Sequence, residues 1–146
     1  MIDLDNQTNL TINLEKLENI ANSLSMQEIE LIITDSQTIQ SLNLEHRGKN
    51  SPTDVLSFPL DTSFTQDSIF GMPLGTIIIS AEYVIKEAKN FSHSIQEELS
   101  LLFIHGVLHL LGYDHEVDQG EMRKREEELI HTFKLPKSLI IRTKEA

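Results

Sequence analysis

The stretch HGVLHLLGYDH, residues 105–115, places three histidines at a spacing typical of a metal site. The first two, His105 and His109, are four residues apart, so on a helix they lie on one face, one turn apart. Two imidazole rings in this arrangement can both reach one ion at about 2.0–2.1 Å. Gly112 then permits a left-handed helix end, and His115 follows three residues later. The stretch therefore predicts a helix that supplies two metal ligands and a following loop that supplies a third.

The type of ligand indicates what such a site does. The chain has no cysteine, which excludes disulfides and thiolate ligands. Three neutral nitrogen ligands leave one position of a tetrahedral zinc open, whereas structural zinc sites usually fill all four with protein groups. We therefore expect one catalytic Zn²⁺ per chain. The other histidines, His46, His93 and His131, lack a spaced partner and are expected to be solvated.

Gly106 separates this stretch from a well-known class of zinc proteases. Those enzymes read H-E-x-x-H-x-x-G-x-x-H, and the glutamate activates water for attack on a peptide bond. Here glycine stands in the place of that glutamate, so peptide hydrolysis is not favoured. We expect Gly106→Glu to retain zinc and to repel phosphate from the metal. Asp114, beside His115, could orient a histidine or could be a solvated loop residue.

Hydrophobic periodicity extends the prediction to the rest of the chain. Strands come first and helices are concentrated late, which favours an α+β fold with a small mixed sheet covered by helices. Residues 60–73 are polar and are expected to form a long loop. Helices are expected at 13–25, 36–46, 81–91, from Ser94 through Leu111, and 119–133, and strands at 29–34, 54–59 and 75–80.

Length and charge restrict the remaining possibilities. The chain has 146 residues and 39% hydrophobic content, which predicts a single domain, residues 1–146. No secretory signal and no membrane span are visible, so we expect a soluble cytoplasmic protein. The formal net charge is −11, which argues against a general electrostatic grip on nucleic acid.

Several segments resemble the YbeY endoribonuclease family. HGVLHLLGYDH is similar to the family signature H-G-x-L-H-L-x-G-Y-D-H at every fixed position. RGKNSPTDVLSFP, residues 47–59, resembles a second family motif, R-G-K-x-x-P-T-D-V-L-S-F-P. LGTIIIS, residues 74–80, and MRKREEELI, residues 122–130, are similar to further segments. Together the resemblance covers about residues 36–133.

The resemblance implies a small fold related to the zincins, with zinc on His105, His109 and His115. It implies cleavage of single-stranded RNA in the maturation of small-subunit (16S) ribosomal RNA and in ribosome quality control. The implied partners are ribosomal RNA and the small ribosomal subunit or its assembly factors, with neither DNA nor a membrane involved. The implied catalytic residues are Arg47 and His115. One departure is Thr76, where the family usually carries an acid.

Arg47 also has a chemical interpretation of its own. A guanidinium is permanently charged and presents a fork of donors suited to phosphate oxygens. The alternative is a solvated cation in a turn. In the segment that follows, Val55, Leu56 and Phe58 are expected to pack the sheet and to form the wall behind the metal.

The residues alone are also compatible with two other functions. The protein could be a metallohydrolase that cleaves a bond other than one in RNA, or a non-catalytic ribosome-assembly factor with a structural metal. The acidic charge also predicts poor affinity for free RNA and dependence on a ribosomal context.

Overall fold

The computed structural model describes residues 1–60, 72–114 and 116–136. Its four-stranded sheet has the order β1-β2-β4-β3, in which β1, β2 and β4 are parallel and β3 is antiparallel to β4. None of the helices in the described part is long and apolar enough to span a bilayer. The strands are β1 (Ile2–Asn6), β2 (Ile29–Thr34), β3 (Val55–Pro59) and β4 (Gly75–Ser80), and the described helices are α1 (Leu14–Leu24), α2 (Ser36–Arg47), α3 (Ala81–Asn90), α4 (Ile95–Leu110) and α5 (Glu121–Thr132).

The two faces of the sheet are covered unequally because strand side chains alternate between them. Helix α2 covers one face, where Ile39 packs with Leu56 and Ile78. The other four helices cover the opposite face around the main core, which includes Ile77 and Phe103. Helix α4 is buried along most of its length and contacts both β3 and β4. This packing places the histidine stretch beside the antiparallel edge of the sheet.

Side-chain caps set where four of the helices begin. Each cap residue lies in extended backbone and accepts a hydrogen bond from a backbone N–H in the first turn, which would otherwise have no partner in the helix. In α4 the bond is reciprocal, since Glu97 accepts from the backbone of Ser94. The four caps are Asn13, Asp35, Ser80 and Ser94.

The structure confirms the α+β class, the mixed sheet, the three expected strands and the five expected helices to within about two residues. Strand β1 was missed, because its short run of mostly polar residues buries only Ile2. Helix α5 begins later than expected, because Asp118 accepts from the backbone N–H of Gly120 and Met122 and holds a turn before the helix. Of the expected loop, residues 61–71 lie outside the described residues.

Candidate active site

A cleft of about 500 Å³ opens between the end of α4, strand β3 and the end of α2. His105 and His109 form one side, which we call the histidine wall. Arg47 and Thr53 form the other, which we call the arginine wall, and residues 48–52 join them. The lining residues are Arg47, Thr53, Asp54, Val55, Ser57, Pro59, His105, His109, Gly112, Tyr113, Asp114 and Glu116.

The two histidines of α4 face each other closely. Their Nε2 atoms are 3.1 Å apart, and the rings meet edge to face with centroids 4.6 Å apart. Two nitrogens bound to one tetrahedral zinc would be separated by about 3.3 Å, given zinc–nitrogen distances of about 2.0–2.1 Å. The spacing therefore fits a shared ion.

The opposite nitrogen of each ring is held by the protein. His109 Nδ1 lies 3.0 Å from the carbonyl oxygen of Tyr113, and His105 Nδ1 lies 2.9 Å from Glu126 Oε1. A carbonyl or an ionised carboxylate only accepts, so each Nδ1 donates and each neutral ring carries its lone pair on Nε2. Two lone pairs that face each other at this distance repel, and a cation between them removes that repulsion. The donor set therefore fits zinc, whose histidine ligands usually hydrogen-bond in this way.

Glu126 is the site residue that the sequence interpretation missed. Its side chain is 3% exposed, yet it belongs to the acidic run of α5. The available signal was its position on the buried helix face with Met122, Leu129 and Ile130, where an acid in an apolar stripe needs a partner. That partner is the ring of His105.

The third expected ligand, His115, lies outside the described residues, so its role stays a prediction. Within the described ranges, no group of three or more metal-binding side chains comes together. The path toward His115 does turn as expected. Gly112 has φ +100°, and the N–H of Tyr113 donates to the carbonyl of Leu108, which is the geometry of a helix ended by a left-handed residue.

Asp114 shapes the turn that follows. Its Oδ1 accepts from the N–H of Glu116 at 3.0 Å, and its carbonyl accepts from Val117 and Asp118. Its side chain is exposed. Of the two interpretations left open by the sequence, these bonds favour the loop role, and the acid that holds a described histidine is Glu126 instead.

Gly106 permits α4 to approach the sheet. A Cβ at this position would lie 2.9 Å from Cγ2 and 3.0 Å from Cδ1 of Ile77, which is too close without movement. Ser57 Oγ also donates to the carbonyl of Gly106, at 3.4 Å. The first effect of Gly106→Glu is therefore overpacking against β4. The expectation that this variant retains zinc stays a prediction, and the overpacking acts against it.

Arg47 is the last residue of α2 and lines the same cleft as the histidines. Gly48, with φ +70°, ends the helix, and its N–H donates to Leu44. The Arg47 side chain is exposed, and among the residues that the structure describes no carboxylate is within ion-pair distance of it. The guanidinium is therefore available to a ligand in the cleft.

Asn43 holds the loop of the arginine wall, and the sequence interpretation did not identify it. It is 3% exposed, and its Nδ2 donates to the carbonyl of Ser51 at 2.9 Å. The backbone carbonyl of Asn43 also accepts from the backbone N–H of Lys49 at 3.4 Å. The neighbouring Leu44 is 48% exposed. The buried polar residue thus organises the chain that follows Arg47.

The segment after this loop divides between the two faces of β3. Val55 lines the cleft, whereas Leu56 and Phe58 pack under α2 on the opposite face. Of the three residues expected to form the wall behind the metal, only Val55 therefore faces the cleft. Thr76 does not line the cleft, and its hydroxyl donates to Glu30 at 3.1 Å.

The remaining histidines differ from one another. His46 and His131 are exposed, as expected. The expectation for His93 was wrong, because its side chain is 1% exposed and lies 3.4 Å from the buried carboxylate of Glu98. The backbone N–H of His93 donates to the carbonyl of Ala88, so His93 closes the turn between α3 and α4. His93 therefore has a structural place in the core.

The chain is similar to known proteins over almost its whole length. A family model described as Endoribonuclease YbeY matches residues 3–134. Endoribonuclease YbeY of Sulfurovum sp. is 62% identical over 142 residues, which are 97% of each chain. The protein of the same name from Aliarcobacter butzleri is 54% identical over 97% of this chain and 99% of its own. The solution structure of TM1509 from Thermotoga maritima has a TM-score of 0.58 and 26% identity, covering 91% of this chain and 89% of that one.

Proposed function

Because the chain belongs to the endoribonuclease YbeY family, we propose that it is a zinc-dependent endoribonuclease specific for single-stranded RNA. The observation that carries the proposal is the shared cleft. It brings two histidines whose Nε2 atoms are 3.1 Å apart together with an exposed arginine. An ion site and a phosphate-binding cation in one open cleft suit phosphodiester cleavage.

In this proposal His105, His109 and His115 would hold the metal in a zincin-like arrangement, with two ligands from a helix and one from the loop after it. When bound, zinc supplies a Lewis acid and a water of lowered pKa. Glu126 and the Tyr113 carbonyl fix the orientation and tautomer of the two helix histidines.

Arg47 binds the scissile phosphate in this proposal. Negative charge grows on the phosphate oxygens during cleavage, and a fixed guanidinium can neutralise part of it with two parallel hydrogen bonds. Its exposure at the cleft and its freedom from a described ion pair support this role. His115 is proposed as the further catalytic residue.

The surroundings of the cleft explain why a partner would be needed. Three acids, Asp54, Asp114 and Glu116, line the cleft with Arg47, and the whole chain carries a net charge of −11. Such a field weakens long-range attraction of RNA. We therefore propose that the protein meets its substrate on the small ribosomal subunit, in 16S ribosomal RNA maturation and in ribosome quality control.

Metal analysis paired with cleavage assays tests the proposal. We expect one zinc per chain, cleavage of a single-stranded RNA that stops after chelation and returns with zinc, and no cleavage of casein. Casein hydrolysis would indicate a peptidase. RNA cleavage that persists in fully metal-free protein would contradict zinc dependence. If metal-free protein supports ribosome maturation in cells, the metal is structural and the protein acts as an assembly factor.

A further inference from the structure

Among the residues that the structure describes, strand β3 lies at an edge of the sheet, and its hydrogen bonds to β4 alternate along it. The N–H of Ser80 donates to Asp54 at 2.9 Å, and the N–H of Leu60 donates to Leu74 at 3.2 Å. In an antiparallel ladder every second residue directs its main-chain groups to the partner strand. With the register Leu56↔Ile78, the even residues of β3 therefore bond to β4, and the odd residues direct their N–H and C=O away from the sheet.

Only one of these odd residues offers a complete outward pair. The N–H of Val55 is already bound by Asp54 Oδ1 at 2.8 Å. Pro59 has no N–H. Because Pro59 is one of the outward residues, this missing N–H removes no hydrogen bond to β4. Ser57 alone among the three carries an outward donor and an outward acceptor. Within the described part of the chain, the edge of β3 thus presents a single main-chain pair.

This pair lies at the candidate active site. Val55, Ser57 and Pro59 all line the cleft that contains the histidine wall and Arg47. Ser57 is partly exposed, and its hydroxyl contacts the carbonyl of Gly106, the residue that follows His105. A ligand bound along this edge therefore lies beside both walls.

We propose that the amide and carbonyl of Ser57 hydrogen-bond the Watson–Crick edge of one unpaired base of the RNA substrate. The proposal rests on the proposed endoribonuclease function and names how that site recognises its substrate. Every base carries a neighbouring donor and acceptor on this edge, which fit one main-chain N–H and C=O. In a duplex that edge is occupied by the pairing base, so the strand edge accepts only single-stranded RNA.

The same edge does not suit a peptide. An extended peptide that adds to a sheet needs repeated donor and acceptor pairs along the strand. Here Val55 and Pro59 interrupt the series on both sides of Ser57. An isolated pair matches one base, and Arg47 on the opposite wall provides the contact for a neighbouring phosphate, which positions the chain without reading it.

The test combines a substrate change with a backbone change. Two oligomers of equal length are compared, one of uridine and one of N3-methyluridine, which lacks the donor on this edge and cannot pair through it. Ser57→Pro removes the outward N–H and leaves the ladder to β4 intact, while Ser57→Ala keeps the N–H and removes only the hydroxyl. Zinc content, thermal midpoint, oligomer affinity and kcat/KM are measured for each protein.

We expect the natural protein and Ser57→Ala to favour the uridine oligomer by about tenfold, the scale of one or two neutral hydrogen bonds. In Ser57→Pro this preference should fall to about threefold or less, because one of the two bonds is gone. Equal kcat/KM and equal affinity for both oligomers in the natural protein would overturn the proposal, as would an equal loss on both in Ser57→Pro. If Ser57→Pro does not fold, the natural protein's comparison decides.

Failure of the proposed function gives a different result. It would appear as absence of metal-dependent cleavage of either oligomer by the natural protein. The affinity comparison still tests the strand edge in that case, because the base contact does not require cleavage. A tenfold weaker affinity for the methylated oligomer would support it, and equal affinities would overturn it.

Discussion

The two rings of the histidine wall are held by partly buried hydrogen bonds, whereas the charged group of the arginine wall lies exposed at a helix end beside a loop. His105 is bound by Glu126, which is 3% exposed, and His109 is bound by the carbonyl of Tyr113. Arg47 is exposed, and its position depends on the turn at Gly48 and on Asn43. One wall is fixed before any ligand arrives, and the other leaves its charged group accessible to solvent.

This difference indicates a division of labour. A metal site needs ligands fixed to within a fraction of an ångström, and buried outer hydrogen bonds provide that precision. A phosphate-binding cation needs reach and accessibility, which an exposed residue at a helix end provides. Changes in the histidine wall should therefore alter metal content, and changes in the arginine wall should alter turnover while the metal stays bound.

The largest effect is expected from His109→Ala or His105→Ala. Either change should remove the bound zinc and abolish metal-dependent RNA cleavage, because the remaining nitrogens hold zinc poorly. His131→Ala is the matched control, since His131 is exposed on α5 and does not line the cleft. Zinc content by elemental analysis checks this prediction. A full equivalent of zinc in either single variant would show that the proposed ligand set is wrong.

Arg47→Ala should lower turnover by roughly a hundredfold or more, the scale for losing one well-placed charge stabiliser. Zinc content and thermal stability should stay as in the natural protein, because exposed charges contribute little to folding. Arg47→Lys should retain only part of the natural turnover, since an ammonium cannot make the two-pronged contact. Lys49→Ala removes the same charge two residues away, at a position that does not line the cleft.

Turnover on one single-stranded RNA is measured for all three variants. If Lys49→Ala lowers turnover as much as Arg47→Ala, the effect is general electrostatic attraction. Near-normal turnover by zinc-loaded Arg47→Ala would remove the arginine from the mechanism, and the contrast between the two walls would lose its functional meaning.

Glu126→Gln should weaken zinc binding by about 10- to 100-fold, the usual cost of changing an outer hydrogen bond of a metal ligand. The amide still accepts from His105 Nδ1 but no longer makes the charge-assisted hydrogen bond of the carboxylate. Glu128→Gln is the control, since Glu128 is an exposed acid of the same helix and pairs with Arg125 at 3.0 Å. Competition against a chelator measures the zinc affinity. Equal affinities for the two variants would show that Glu126 does not act through the metal site.

The sequence predicted much of the fold because local signals agreed with the packing. Strand β2, with apolar residues at Ile29, Leu31 and Ile33, carries the alternation of a strand, and helix α4 carries the capping box at Ser94 that marks its start. Strand β1 alternates only from Ile2 to Asp5, a run too short to predict a strand by itself, and it is held in place by pairing with β2. Its existence depends on a partner distant in sequence, which local patterns do not record.

The candidate site divides in the same way. The helical spacing of His105 and His109 predicted their approach, and the cleft also contains Arg47, which was chosen for its charge. Glu126 and Asn43 were missed because their roles depend on burial by other elements. Each is a polar residue of an otherwise ordinary helix, and only the packing shows which polar residues lie inside.

Asn43→Ala should lower turnover by about tenfold with zinc unchanged, because residues 48–53 lose the bond that holds them near α2. The free energy of unfolding should fall by only about 0.5–1.5 kcal/mol, the scale of one hydrogen bond. Gln40→Ala is the matched control, since Gln40 makes an exposed bond to Asn50 in the same loop at 3.0 Å. Turnover and urea unfolding are measured for both variants. Equal turnover in the two would show that the buried contact does not position Arg47.

The smallest effect concerns Asp35, which caps the helix that ends at Arg47. Its carboxylate accepts from the N–H of Thr38 at 2.6 Å, and this backbone bond lowers the pKa of Asp35 below its ordinary value of 3.8. Since the folded pKa is lower, the cap stabilises the fold above pH 3.8, and the effect is lost as the pH falls through the folded pKa. Asp35→Asn keeps the cap but does not titrate. The difference between the unfolding free energies of the two proteins should therefore be constant above about pH 5. In more acidic solution the unfolding free energy of the natural protein should fall relative to that of the variant. Urea unfolding from pH 3 to 7 measures this difference. A difference that stays constant over the whole range would mean that the charge of Asp35 adds nothing to the cap. The stability of the helix that ends at Arg47 would then not depend on pH through this residue.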